Sequence, residues 1–75
     1  MIVFDDADLD AVAETIRYGS YFNAGQDCAQ PCRVLVADRA YDRLVAAITD
    51  QVGQIRTGAP KEEGTEMGPL VSAAQ

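Results

Sequence analysis

The sequence predicts an α/β fold, a strand–helix–strand–helix unit built on a parallel sheet. Three observations predict it. Residues 1–4 and 32–37 are short, mostly apolar runs with the length and character of buried strands. Each run is followed by a longer stretch in which apolar residues recur every three or four positions, the period of one helical face. The resulting order, β-α-β-α, is that of a right-handed parallel crossover.

The first run, residues 1–4, is closed by Asp5, Asp6, Asp8 and Asp10. Acidic side chains favour a helix N-terminus, where they meet the dipole and accept from unpaired backbone N–H groups. Leu9, Val12, Ala13, Ile16 and Ser20 then mark the buried stripe of a first helix, with Gly19 and Gly25 near its end. In the second run, Cys32-Arg33-Val34-Leu35-Val36-Ala37, the continuous apolar character predicts burial on both faces. Asp38 is placed to cap a second helix whose stripe is Tyr41, Leu44, Val45, Ile48, Val52 and Ile55. Gly58 lies where a left-handed residue would end that helix. Residues 58–69 are rich in Pro, Gly, Lys, Glu and Thr and read as a loop, and 70–75 read as the start of a further helix.

Length and charge narrow the function. With 75 residues there is room for one domain at most. A chain of this size buries only about 60% of its unfolded surface. Two strands need neighbours on their edges and faces, so self-association or the remainder of a longer parent is the expected partner. Six basic residues against twelve acidic ones give a net charge of −6, and the cations form no stripe, which excludes a nucleic-acid surface. There is no histidine, and Cys28 and Cys32 supply too few ligands for a metal site. No charged-then-apolar leader pattern and no membrane-length apolar run occurs, so the expected location is the cytoplasm, with reduced thiols.

The run Tyr21-Phe22-Asn23-Ala24-Gly25-Gln26-Asp27-Cys28, followed by Arg33-Val34-Leu35-Val36, resembles the cysteine active-site signature of the aldehyde dehydrogenase superfamily. The upstream Ile2-Val3-Phe4-Asp5-Asp6-Ala7-Asp8-Leu9-Asp10 and the downstream Gly58-Ala59-Pro60 and Met67-Gly68-Pro69-Leu70 are similar to that family's flanking segments, in the same order. Gly25-Gln26-Asp27-Cys28, with Cys32 four residues on, is most similar to the bacterial aminobutyraldehyde dehydrogenases. The resemblance implies that residues 1–75 are a fragment of a parallel-sheet catalytic domain. It implies an aldehyde substrate and NAD or NADP as cofactor, and it makes Cys28 the nucleophile. Attack on an aldehyde gives a thiohemiacetal, hydride loss gives a thioester, and hydrolysis gives the carboxylic acid.

The chemistry needs these residue types. A free thiol has a pKa of about 8.5 and attacks only as thiolate, so it must be exposed and supported. Gly25 permits a conformation or a close approach that a side chain would block. Asn23, Gly25 and Gln26 support the turn, and the Cys28 backbone N–H is placed to hold an oxyanion. The resemblance implies that Phe22 is the candidate for lining a substrate tunnel, and Asp27, next to the nucleophile, is the candidate for attracting the ammonium group of an aminoaldehyde. Cys32 is expected to be a buried packing residue. Gln30 and Pro31 depart from the family pattern, in which a small residue stands two positions after the nucleophile.

The family's glutamate base, its oxyanion asparagine and its nucleotide-binding domain have no matching motif here, nor is there a Gly-x-Gly-x-x-Gly loop. The expectation is therefore that no cofactor binds, and no aldehyde is oxidised, by these residues alone. Two other readings stand beside this one: a non-catalytic module that associates through its apolar faces, and a thiol redox switch formed by Cys28 and Cys32.

Overall fold

The computed structural model describes all of residues 1–75. Its elements follow the expected order: β1 (Ile2–Val3), α1 (Leu9–Ser20), β2 (Leu35–Val36) and α2 (Asp38–Gly53). The two strands pair in parallel, Ile2 opposite Leu35 and Val3 opposite Val36. The Leu35 N–H donates to the Met1 carbonyl and the Ala37 N–H to the Val3 carbonyl, both at 3.0 Å. The Met1 amino group extends the pairing by donating to the Arg33 carbonyl at 2.9 Å.

One face of this small sheet is covered. Val3, Leu9, Ala40 and Leu44 form the buried cluster, with Val12, Val34, Val36 and Ile48 packed against it. Both helices contribute to that cluster and pack along each other, so they lie on the same side of the sheet. The expected burial of β2 on both faces is therefore corrected: Leu35 and its partner Ile2 point away from the helices and are exposed. Both strands are also shorter than the apolar runs that contain them, because each has one neighbour only and pairs only where the two coincide.

In α1 the predicted stripe holds. Leu9, Ala13 and Ile16 are buried, and the Asp8 carboxylate caps the helix by accepting from the Ala11 N–H at 3.1 Å. In α2 three expectations are corrected. The buried line is Ala40 and Leu44, continued by the half-buried Ile48, a strict four-residue spacing. Tyr41 and Val45, one position further round a helix of 3.6 residues per turn, are exposed. Asp38 makes no capping hydrogen bond; Ala37 is the cap, and Asp38 lies in the first turn, where its charge still complements the dipole.

Gly58 does not terminate α2. The helix stops at Gly53, and the right-handed Gln54 donates its N–H to the Gln51 and Val52 carbonyls. Gly58 is small for another reason: a Cβ there would sit 2.8 Å from both Glu62 Oε2 and Thr65 Oγ1. Residues 54–69 contain a single bridge, between Thr57 and Met67. Residues 70–75 form bends and turns and no helix. No helix is long and apolar enough to cross a membrane.

Candidate active site

The chain leaves α1 at Ser20 and immediately winds the other way. Asn23 (φ 51°, ψ 37°), Ala24 (φ 56°, ψ 32°) and Gly25 (φ 80°) are consecutive residues in left-handed backbone. Glycine enters this region freely and asparagine is enriched there, whereas alanine pays about 1–2 kcal/mol for its Cβ. Asn23 holds the turn from within. Its Nδ2 donates to the Gln26 carbonyl at 3.1 Å, while the Gln26 N–H donates back to the Asn23 carbonyl at 3.2 Å. The Gln26 side chain adds a long bond from Nε2 to the same Asn23 carbonyl at 3.5 Å. These contacts give Asn23 and Gln26 a turn-forming role.

Gly25 can now be assigned between the two reasons given for it. A Cβ built there meets nothing closer than Gln30 Oε1 at 3.8 Å and the Ser20 carbonyl at 3.9 Å. Space is available, so the left-handed backbone is what requires glycine.

Beyond the turn, Asp27 folds its carboxylate onto its own backbone: Oδ1 accepts from the Ala29 N–H at 2.7 Å. Cys28 lies inside this Asx turn, exposed and free. Its backbone N–H donates to no acceptor in the chain. Cys32 is also exposed, which corrects the expectation of a buried packing residue. After Pro31, the Cys32 N–H turns back to the Gln30 carbonyl at 2.9 Å, and this kink keeps residue 32 out of the sheet.

Two shallow recesses adjoin the left-handed turn. One, of about 120 Å³, lies between Ala24, Gly25 and Gln26 on one side and Leu70, Val71 and Gln75 on the other. The second, a more open trough of about 380 Å³, lies between Asn23, Ala24 and Gln26 and the segment bearing Pro60, Gly68 and Pro69. Three of the expected site residues, Asn23, Gly25 and Gln26, thus wall the recesses. Cys28 and Asp27 line neither, and Phe22 projects into solvent at 63% exposure. No cluster of three or more His, Cys, Asp or Glu side chains could hold a metal ion.

Sequence reading missed an ion pair that lies two residues in sequence from the opposite wall. Arg17, three residues before the end of α1, donates to Glu66 Oε1 at 2.7 Å and Oε2 at 2.9 Å. It also donates to Gln51 Oε1 at 3.2 Å and to Gln54 Oε1 at 3.3 Å. Glu66 in turn accepts from the Arg56 N–H at 3.0 Å. The Arg17 hydrogen bond, and after it the Arg56 N–H, hold the Glu66 carboxyl below the usual carboxylate range; the same bond raises Arg17. Arg17 is the only cation in α1, which is the one signal the sequence offered.

The chain is similar to known proteins along its whole length. The family model described as "Aldehyde dehydrogenase family" matches residues 1–75. Betaine aldehyde dehydrogenase of Brucella ovis is 40% identical over the whole chain, which spans 15% of that protein's length. The crystal structure of an NAD-dependent aldehyde dehydrogenase from Sinorhizobium meliloti superposes with a TM-score of 0.88 at 44% identity, covering 97% of this chain and 14% of that one. Betaine aldehyde dehydrogenase from Staphylococcus aureus, solved in complex with NAD+, superposes at 0.87 with 38% identity, covering 97% of this chain and 14% of that one.

Proposed function

The chain belongs to the aldehyde dehydrogenase family, and from that premise we propose that it is the catalytic-domain segment carrying the nucleophile, Cys28. The observation that supports this most directly is the presentation of Cys28. Its thiol is exposed three residues after a run of three consecutive left-handed residues, and its N–H is left without an internal partner.

The step assigned to these residues is carbon–sulfur bond formation. The Cys28 thiolate attacks the aldehyde carbon, the C=O π electrons move to oxygen, and the Cys28 N–H donates to the oxyanion. Because Asn23, Ala24 and Gly25 are already wound into shape, the N–H needs no reorganisation when that charge develops. Asn23, Gly25 and Gln26 act as turn supports. The Asp27 carboxylate is committed to its Asx turn through Oδ1, which leaves Oδ2 as the oxygen able to face an ammonium group. Together with the similarity to betaine aldehyde dehydrogenases, this favours ammonium-bearing aldehydes as the substrate class, with aminobutyraldehyde among them.

The family's reaction uses a nicotinamide cofactor as hydride acceptor. The residues present do not fit one: the smaller recess is about 120 Å³, and the larger trough has no basic side chain to meet a diphosphate. NAD or NADP would therefore be held by residues other than these.

The test is a chimera in which residues 1–75 replace the matching segment of the Sinorhizobium meliloti enzyme. Aldehyde-dependent NADH formation is expected, and Cys28→Ser should lower it by at least about 10⁴-fold. Turnover that survives Cys28→Ser would overturn the assignment.

A second reading is favoured by the exposed Ile2–Leu35 pair: alone, the chain associates through its uncovered sheet face.

A further inference from the structure

Arg17 joins segments that are remote in sequence but adjacent at the turn. Through Gln51 and Gln54 it grips the end of α2, and through Glu66 it grips the arch that runs from Arg56 to Met67. The arch is closed at its base, where the Arg56 carbonyl accepts from both the Glu66 and Met67 N–H groups and the Gly58 N–H donates to the Met67 carbonyl. The residues just past Met67, namely Gly68, Pro69, Leu70 and Val71, form the far walls of the two recesses. The near wall is the left-handed turn, which begins six residues after Arg17 along a rigid helix end. One guanidinium therefore sets both walls in a common frame. Its terminal nitrogens are fully committed to this grip, and its buried Nε has no partner, so the group is held inward rather than left at the surface.

We propose that Arg17 is a positioning residue for Cys28: by clamping Glu66 it fixes the Gly68–Val71 segment against the turn that presents the thiol. The proposal rests on the reading of Cys28 as the nucleophile.

The experiment uses the 75-residue chain and 4-nitrophenyl acetate as probe. The thiolate attacks the ester carbon, the carbon–sulfur bond forms, the bond to 4-nitrophenolate breaks, and the thiol proton goes to solvent. Peptide mapping then gives the ratio of acetylation at Cys28 to that at Cys32, an exposed thiol in the same chain. In the unaltered chain the ratio is expected to favour Cys28. Arg17→Gln, and independently the isosteric Glu66→Gln, should lower it about threefold or more. The charge-swapped pair Arg17→Glu with Glu66→Arg should restore it.

Helix content is followed by circular dichroism in every variant. A lowered ratio in a variant with unchanged helix content, restored by the swap, supports positioning. An unchanged ratio in the still-helical Glu66→Gln chain overturns it. A ratio near one in the unaltered chain overturns the nucleophile reading instead, so the two failures are distinct.

Discussion

Arg17 and Glu66 stand 49 residues apart in the chain and meet at 2.7 Å. The contact is two-pronged, with both terminal carboxylate oxygens bound by one guanidinium nitrogen and the second oxygen also taking the Arg56 N–H. An isolated surface ion pair contributes little, because solvent screens it and two long side chains must be ordered. This pair differs in being part of a network. The side chains are only 14% and 27% exposed, and Gln51 and Gln54 hold the same guanidinium that meets Glu66.

Acid should open this clamp. Glu66 titrates below its ordinary value of 4.5, chiefly because Arg17 bonds its charged form. A lowered folded pKa contributes stability that is complete above the unfolded value and is lost as pH falls through the folded one. The thermal midpoint of the unaltered chain is therefore expected to exceed that of Glu66→Gln at neutral pH, with the gap closing as pH drops below 4.5. A gap that stays constant through that window would remove the carboxylate from the explanation.

The left-handed turn supplies a pair of opposed substitutions. Gly25→Ala should destabilise the chain by about 1–2 kcal/mol, through backbone strain alone, since its Cβ meets no obstacle within 3.8 Å. Ala24→Gly relieves the same strain one residue earlier and should stabilise by up to about 1 kcal/mol, the larger entropy of unfolded glycine offsetting the rest. Urea titration of both variants checks the signs. Destabilisation by Ala24→Gly would mean that the alanine methyl makes contacts worth more than the strain it costs.

These two positions also show how much the sequence could tell. Periodicity found α1 and its buried face, because a helix against a core writes its contacts into the spacing of Leu9, Ala13 and Ile16. The motif around Cys28 marked the turn, and Gly25 within it. What periodicity does not carry is backbone handedness at an alanine, so Ala24 gave no signal. Nor does it carry contacts across 49 residues, so the partner of Arg17 was invisible. The ends of α2 depart from expectation for a related reason. Asp38 has the chemistry of a cap and Gly58 that of a terminator, but the chain uses Ala37 and Gln54 and keeps Gly58 for the close approach of Glu62 and Thr65.

Asp27 offers a way to separate hydrogen bonding from charge. Its Oδ1 accepts from the Ala29 N–H at 2.7 Å, a bond that an amide oxygen can also make. Asp27→Asn should thus leave stability nearly unchanged, while Asp27→Ala should cost about 1 kcal/mol. If the carboxylate also attracts cationic aldehydes, the chimera carrying Asp27→Asn will show a raised KM for betaine aldehyde and an unchanged KM for a neutral aldehyde such as propanal. Equal shifts for both aldehydes would assign Asp27 to the turn alone.

The uncovered sheet face makes the last expectation. Ile2 and Leu35 are register partners, 68% and 58% exposed, on the side of the sheet opposite both helices. A parallel sheet is ordinarily covered on both faces, so this pair is apolar surface without its layer. Burying such side chains returns about 1.5–3 kcal/mol each, enough to drive association when several copies meet. Sedimentation velocity of the 75-residue chain should therefore show a weight-average mass that rises with concentration. Replacing both residues by threonine, Ile2→Thr with Leu35→Thr, puts a polar side chain of good strand propensity at each position and should return the chain to a monomer. Because neither side chain packs on the core cluster, the thermal midpoint of the monomer should hardly move. A double variant that still self-associates would shift the interface away from the sheet face and onto another exposed apolar group, such as Phe22 or Val71 beside the turn.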